Sequence, residues 1–326
     1  MKIFVTMVLA ALAAVCTPGA TGATPQALSA QIIRFDDLTP TGFVLKQSWN
    51  ALGMDSHERI YIGFTSLRPD QREDFLLFRY DPSNGQRRFL GSFIDAAERA
   101  GNLMPGEEIP KGHTRMIEVD GQMYMGSQGF HDFKGSIDAL PLYRGAHLFA
   151  YDPIHDRLED LASRHSGGVI VPQQGIIALS VVPERNLLVG LTHPLGDIIL
   201  FDVESGRLKT TPGIPWTLGS PVSREIVVAR TGMIYVSRGS EEPALRDKNH
   251  AIWAYNPSTE SLARTPFTFK GGFWNGQTAT RDGRFIYIST ANGELYRLET
   301  DRGTFTHLGH FLPQRDQEAG VRVNWL

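Results

Sequence analysis

Short apolar runs rich in β-branched and aromatic residues, each closed by a turn, recur along this chain closely enough in spacing to form a repeat. One run reads Ile60-Tyr61-Ile62-Gly63. It returns as Met123-Tyr124-Met125-Gly126, Leu187-Leu188-Val189-Gly190, Ile234-Tyr235-Val236-Ser237 and Ile286-Tyr287-Ile288-Ser289. After each comes an apolar strand ending in an aromatic, an acid or amide, and a tight turn. The copies are Phe78-Arg79-Tyr80-Asp81-Pro82, Phe149-Ala150-Tyr151-Asp152-Pro153, Leu200-Phe201-Asp202, Trp253-Ala254-Tyr255-Asn256-Pro257 and, more loosely, Tyr296-Arg297-Leu298-Glu299. Four of the first runs follow a further strand, beginning at His113, Ile176, Arg224 or Asn275, across a short turn such as Asp120-Gly121 or Asp282-Gly283. Helical solenoids have similar periods but need apolar spacing near 3.6, which these runs lack.

The repeating unit is therefore a four-stranded meander, and the fold class it predicts is all-β, a β-propeller of four-stranded blades. Five units are visible. The run Val321-Arg322-Val323-Asn324-Trp325-Leu326 reads as the first strand of another, which residues 31–38 would close by strand exchange. Six blades, the last incomplete, are expected.

Met1-Lys2, an apolar run over residues 3–15 and small residues ending at Ala23 have the charge, core and cleavage order of a secretory signal peptide. The domain plan is then a leader over 1–23 and a single propeller over 24–326, in a periplasmic or secreted protein. Cys16, the one cysteine, lies inside the leader, so cleavage leaves no thiol for a disulfide or a cysteine-held zinc. Lipidation of Cys16 is the alternative, against which Val15 is a poor preceding residue. No later stretch approaches the ~20 apolar residues of a membrane span. With 32 basic and 35 acidic residues, a net charge of −3 and no block of Lys or Arg, nucleic acid and membrane surfaces are not expected partners.

Propeller geometry puts the second-to-third and fourth-to-first strand connections on one face. Here those are the long ones, notably residues 92–112, 128–144 and 237–250. The conspicuous polar residues fall on that face. His113 and Arg115 open one first strand, His131 lies in the long loop of that blade, and Tyr143, Arg144 and His147 open its third strand. His193 sits in the next such turn, Arg224 opens another first strand, Arg238 ends a second strand, and Trp274, Asn275 and Gln277 open the next first strand. His, Arg, Tyr and amides around a channel mouth suit an anionic ligand such as a uronate. Plainer readings stand beside this one: His147 as a packed core residue, Arg224 paired with Glu225 or another acid, His113 bonded to backbone. A divalent metal, structural or catalytic, on His113, His131 and His193 is the cofactor these residues would hold. Gly-x-Ser-x-Gly, His-Glu-x-x-His and Gly-Lys-Ser/Thr motifs are absent from the sequence.

The run Ile109-Pro110-Lys111-Gly112-His113-Thr114-Arg115, then Gly121-Gln122-Met123-Tyr124, then Tyr143-Arg144-Gly145-Ala146-His147 through Tyr151-Asp152-Pro153, with Ser223-Arg224-Glu225 beyond, resembles exported bacterial propellers related to the ulvan lyases. The resemblance implies β-elimination on an acidic polysaccharide or oligosaccharide. It implies His113 and His131 in base or carboxylate-neutralising roles, Tyr143 or Tyr235 in proton transfer, and Arg224 or Arg238 in carboxylate binding. Arg115, Arg144, His147, His193, Trp274 and Asn275 would complete the substrate contacts. A non-catalytic propeller binding glycan or protein through the same face is the competing expectation.

Overall fold

The computed structural model describes residues 7–8, 31–129, 144–164, 166–211, 223–239, 249–272, 274–318 and 321. Most of residues 1–23, His131, Tyr143 and residues 322–326 lie outside the described residues.

Each repeat pairs with itself. The first sheet holds Ile60–Leu67, Glu73–Asp81 and Gln86–Ser92, with an inner strand split into Val44–Gln47 and Leu52–Met54. The second runs Ile117–Val119, Gln122–Gly126, Leu148–Asp152, Arg157–Asp160, and the third Gly175–Val182, Leu187–His193, Ile198–Asp202, Leu208–Thr211. The fourth runs Val227–Val228, Ile234–Gly239, Asn249–Asn256, Ser261–Lys270, and the fifth Trp274–Ala279, Phe285–Thr290, Glu294–Glu299, Thr304–His310. All neighbours are antiparallel, so every unit is a meander in chain order.

Consecutive sheets pack face to face. Tyr61, Phe75, Phe93, Phe149 and Tyr151 join the first to the second, and Tyr124, Leu148, Ile176 and Phe201 the second to the third. Ile177, Val189, Val236 and Tyr255 join the third to the fourth, and Tyr235, Phe269, Trp274 and Phe305 the fourth to the fifth. Burial on both faces is why the strands read as continuous apolar runs instead of alternating ones. Each fully buried aromatic contributes about 1.5–3 kcal/mol, so the stack of interfaces, with no disulfide, is the source of stability. The glycine that ends three of the repeated runs is a packing requirement. A Cβ on Gly63 would lie 2.1 Å from the Phe75 ring, on Gly126 2.8 Å from Ile176, and on Gly190 2.5 Å from Ile199.

Two features depart from the sequence reading. Residues 93–99 form a helix inside the connection expected to be a loop, because Ser92 caps it by accepting from the Asp95 N–H at 3.0 Å and Phe93, Ile94, Ala96 and Ala97 share its buried face. The inner strands of the second and fourth sheets are shorter than the expected His113 and Arg224 starts. The strand exchange expected between residues 31–38 and the run 321–326 involves residues 322–326, which lie outside the described residues. On the outer face of the first sheet Ile33, Phe35 and Leu38 cover Phe64 and Phe78. Arg87 holds Asp37 there at 2.7 Å, and Ile32–Ile33 pairs with Met7–Val8.

Candidate functional site

The inner strands meet at their starts. Met116 N–H donates to Leu52, Ile176 N–H to Ser127 and Arg224 N–H to Trp274, which ties the first sheet to the second, the second to the third and the fourth to the fifth. At two of these starts a side-chain hydroxyl replaces a carbonyl in the ladder. Thr114 Oγ1 accepts from the Gly126 N–H at 2.9 Å and Ser223 Oγ from the Ser237 N–H at 3.2 Å. The backbone leaves regular strand geometry at those points without losing its hydrogen bonds. The residues beside the hydroxyls, His113 and Arg224, are carried at the strand starts.

There they join Lys111, His193 and Arg238. His113 is 4% exposed and stacks on Trp49 at 5.8 Å and 26°. Burial, then the charges of Arg224 and Lys111, push its pKa down to about 3, against a hydrogen bond to the Ile177 backbone. His193, whose Nδ1 lies 3.4 Å from Gln128 Nε2, is pushed down to about 4 by burial, Arg224, Arg238 and Lys111. Both imidazoles are therefore neutral at pH 7. Arg238, 3% exposed, donates to the Leu195 carbonyl at 3.2 Å, and burial lowers its pKa to about 10 while the Asp197 charge opposes. Arg224 is lowered by burial as well. A pocket that lowers every cation it holds is one in which an anion is stabilised.

One step further along the same strands the interior is closed by an ion pair. Arg115 reaches Glu225 of the fourth sheet at 3.0 Å and the Gln277 carbonyl of the fifth at 3.4 Å. Gln277 Nε2 in turn donates to Glu225 at 3.0 Å and to the Ile226 carbonyl at 2.7 Å. Glu225 is 2% exposed, and burial raises its pKa against the pull of Arg115 and Gln277. Arg115 is thus committed to a buried carboxylate, and a ligand contact would break that pair.

Several expected contacts lie elsewhere. Arg144 binds Glu107 at 2.9 Å and the carbonyls of Gly167 and Asn102. His147, 1% exposed, holds Asp160 at 2.7 Å and faces Glu107 at 3.9 Å. The two knit the loop after the 93–99 helix to the second sheet, and the packed reading of His147 is the one its surroundings fit. Tyr235 is buried between the fourth and fifth sheets, edge-on to Phe305 at 5.4 Å, and its hydroxyl lies against Gly303 in a turn of the other face. Trp274 is fully buried against Phe269 at 5.1 Å. Its backbone carbonyl serves Arg224, while its ring is core. Asn275, 1% exposed, follows it at the same strand start.

The His147 network makes stability pH-dependent. Burial would lower His147, but the bond to Asp160 and the contact with Glu107 outweigh it, and its pKa is raised above 6.5. Its contribution is complete below 6.5 and is lost as pH rises through the raised value. Glu107, where the bonds from His147 and Arg144 overcome burial, is pulled down to about 2 from 4.5, so its share is present above 4.5 and disappears as pH falls toward 2. The melting temperature is expected to fall as pH rises from 6.5 through the raised His147 value, and His147→Gln to flatten that limb. A pH profile unchanged by the substitution would contradict the assignment.

Lys111 and Trp49 were not among the residues singled out from sequence. Lys111, 8% exposed, sits 4.1 Å above the Trp49 ring. Its place two residues before His113 is the one signal that could have found it. Trp49 carries no such signal. It sits where four residues, 48–51, oppose two, Gly63 and Phe64, between the Gln47–Thr65 and Leu52–Ile62 pairs of the first sheet. That excess pushes the loop inward.

Among the described residues, no group of three or more His, Cys, Asp or Glu is arranged to hold a metal. His113 and His193 do converge, but beside Arg224 and Lys111, whose charges oppose a divalent cation. No family model and no curated protein matches the sequence. Solved structures similar to the chain include an oligogalacturonate lyase from Vibrio parahaemolyticus, 11% identical over 86% of this chain and 84% of that one, TM-score 0.47. A proposed 6-phosphogluconolactonase from Bacteroides uniformis is 14% identical over 81% and 86%, TM-score 0.46, and a chain of the mitotic checkpoint complex 11% identical over 89% and 74%, TM-score 0.49. With consecutive antiparallel meanders packed face to face and their inner strand starts converging, this chain has a β-propeller-like fold.

Proposed function

We propose that this protein is an exported propeller of six blades that binds a uronate-containing polysaccharide or oligosaccharide at the cationic strand starts and cleaves it by β-elimination. The observation that supports this is the gathering of Arg224, Arg238, His113 and His193 in one buried setting, with both imidazoles held neutral. In this reading Arg224, with Arg238, pairs with the uronate carboxylate and so acidifies the proton at C5. A neutral imidazole, His113 or His193, takes that proton. The C5 electron pair forms the C4–C5 double bond as the C4–O bond breaks, and the leaving oxygen takes a proton from Tyr143, His131 or water. The carboxylate also offsets the positive field that holds the imidazoles down, so binding makes the base stronger.

Incubation with a panel of acidic polysaccharides, followed at the ultraviolet band of unsaturated uronates, tests the reading. A rising signal is expected, lost in His113→Ala with the β-rich fold intact; wild-type turnover by that variant would remove His113 from the mechanism. A flat trace from folded wild-type protein would favour a non-catalytic propeller that binds glycan or protein at the same face. The burial of Tyr235 away from the cluster is the observation on the side of that second reading.

A further inference from the structure

We infer that Lys111, seated on Trp49, is a further residue by which this site selects a sugar bearing an oxyanion, carboxylate or sulfate, over its neutral counterpart. The inference rests on the acidic-glycan reading above and adds a recognition element to it. Lys111 is 8% exposed, and among the described residues its ammonium has no hydrogen-bond or ion-pair partner; Glu73 is bonded to Lys46 at 2.7 Å and acts on Lys111 only as a more distant charge. What holds it is the face of the Trp49 indole at 4.1 Å. A cation–π contact returns only part of the hydration a buried ammonium gives up, because it satisfies none of the three N–H donors.

The indole supplies a second unmet donor. Among the described residues, Trp49 Nε1 is buried without a hydrogen-bond partner. Two adjacent groups thus offer N–H donors and no acceptor. A neutral sugar hydroxyl can accept from them, but it brings no charge to an ammonium whose nearby acid, Glu73, is already bonded to Lys46. An oxyanion meets both needs, and Lys111, as a compact point charge, accepts either a planar carboxylate or a tetrahedral sulfate. His113, stacked on the other contact of the same indole at 5.8 Å, ties this element to the Arg224 cluster. The arrangement is held in place by structure and not by charge: the inner-strand bulge at 48–51 positions Trp49, and the Gln128 N–H bond to the Lys111 carbonyl at 2.9 Å fixes the lysine backbone.

The test compares wild type, Lys111→Met and Lys111→Arg by calorimetric titration with trigalacturonate and with its methyl ester, and by thermal melting with sodium sulfate against sodium chloride at matched ionic strength. Wild type is expected to prefer the acid at least tenfold. Lys111→Met should lower that preference at least threefold, the remainder being carried by Arg224 and Arg238, Lys111→Arg should keep most of it, and the Met variant should melt no lower than wild type, since a buried charge without an ion-pair partner has been removed. A Met variant that keeps the preference, or that melts several degrees lower, overturns the inference and leaves the acidic-glycan reading standing. If wild type binds neither sugar, that reading fails. The lysine site is then supported by a sulfate stabilisation larger in wild type than in Lys111→Met, and overturned by equal shifts.

Discussion

Arg224→Ala is expected to release the two neutral imidazoles. After burial, the Arg224 charge is the largest influence holding His113 at about 3 and His193 at about 4. Removing it should raise both values, and imidazole proton or carbon resonances followed through a pH titration would report them. The same substitution removes the group proposed to pair with the uronate carboxylate. Loss of one such donor in a desolvated site lowers turnover by roughly 10²–10³-fold. The variant should fold, because the Arg224 backbone N–H, not its side chain, makes the bond to Trp274. Unchanged imidazole titrations would mean that the guanidinium does not face the histidines, and the proposed site would lose its centre.

Arg115→Met should be the most destabilising single change at the strand starts. It leaves Glu225, 2% exposed, with Gln277 as its remaining side-chain donor and no countercharge. Breaking a buried pair by removing one partner costs about 3–5 kcal/mol; with 29% of the Arg115 side chain exposed, the lower end applies. At about 2 °C per kcal/mol for a chain of this length, the melting temperature should fall by roughly 5 °C. The penalty belongs to the ionised carboxylate. Burial already raises Glu225 above 4.5, so the loss should be small below 4.5 and reach its full size as pH rises through the raised value. Adding Glu225→Met should recover most of the stability. If the double variant melts as low as the single one, packing and not charge explains the Arg115 effect.

The repeats were legible because a meander is a local object. An apolar run, a turn and a second apolar run pair with each other before any other part of the chain matters, so Ile60-Tyr61-Ile62-Gly63 and its copies announced the four-stranded sheets. His113, His193, Arg224 and Arg238 were legible for the same reason, since their place at strand ends follows from the repeat. Residues of identical chemistry a few positions away were not. Arg144 and His147 open a third strand as convincingly as His113 opens a first one, yet Glu107 and Asp160 claim them. Those acids arrive from a helix-bearing connection and from the next strand, and no spacing rule relates them to Arg144. Trp274 sits at the right end of the right strand with its ring on the interblade face, because a strand alternates faces and register chooses which side each residue takes, and Tyr235 is in an interblade core at the opposite end of its strand. Trp49 had no motif at all, since a bulge and not a repeat places it over Lys111. The sequence by itself determined the sheets, their order and which strand starts carry charge, all consequences of local pairing. Which charges are spent on partners, and which are left buried with donors unmet, was decided only by the tertiary structure, because desolvation and counter-charge depend on what distant segments bring within a few ångströms.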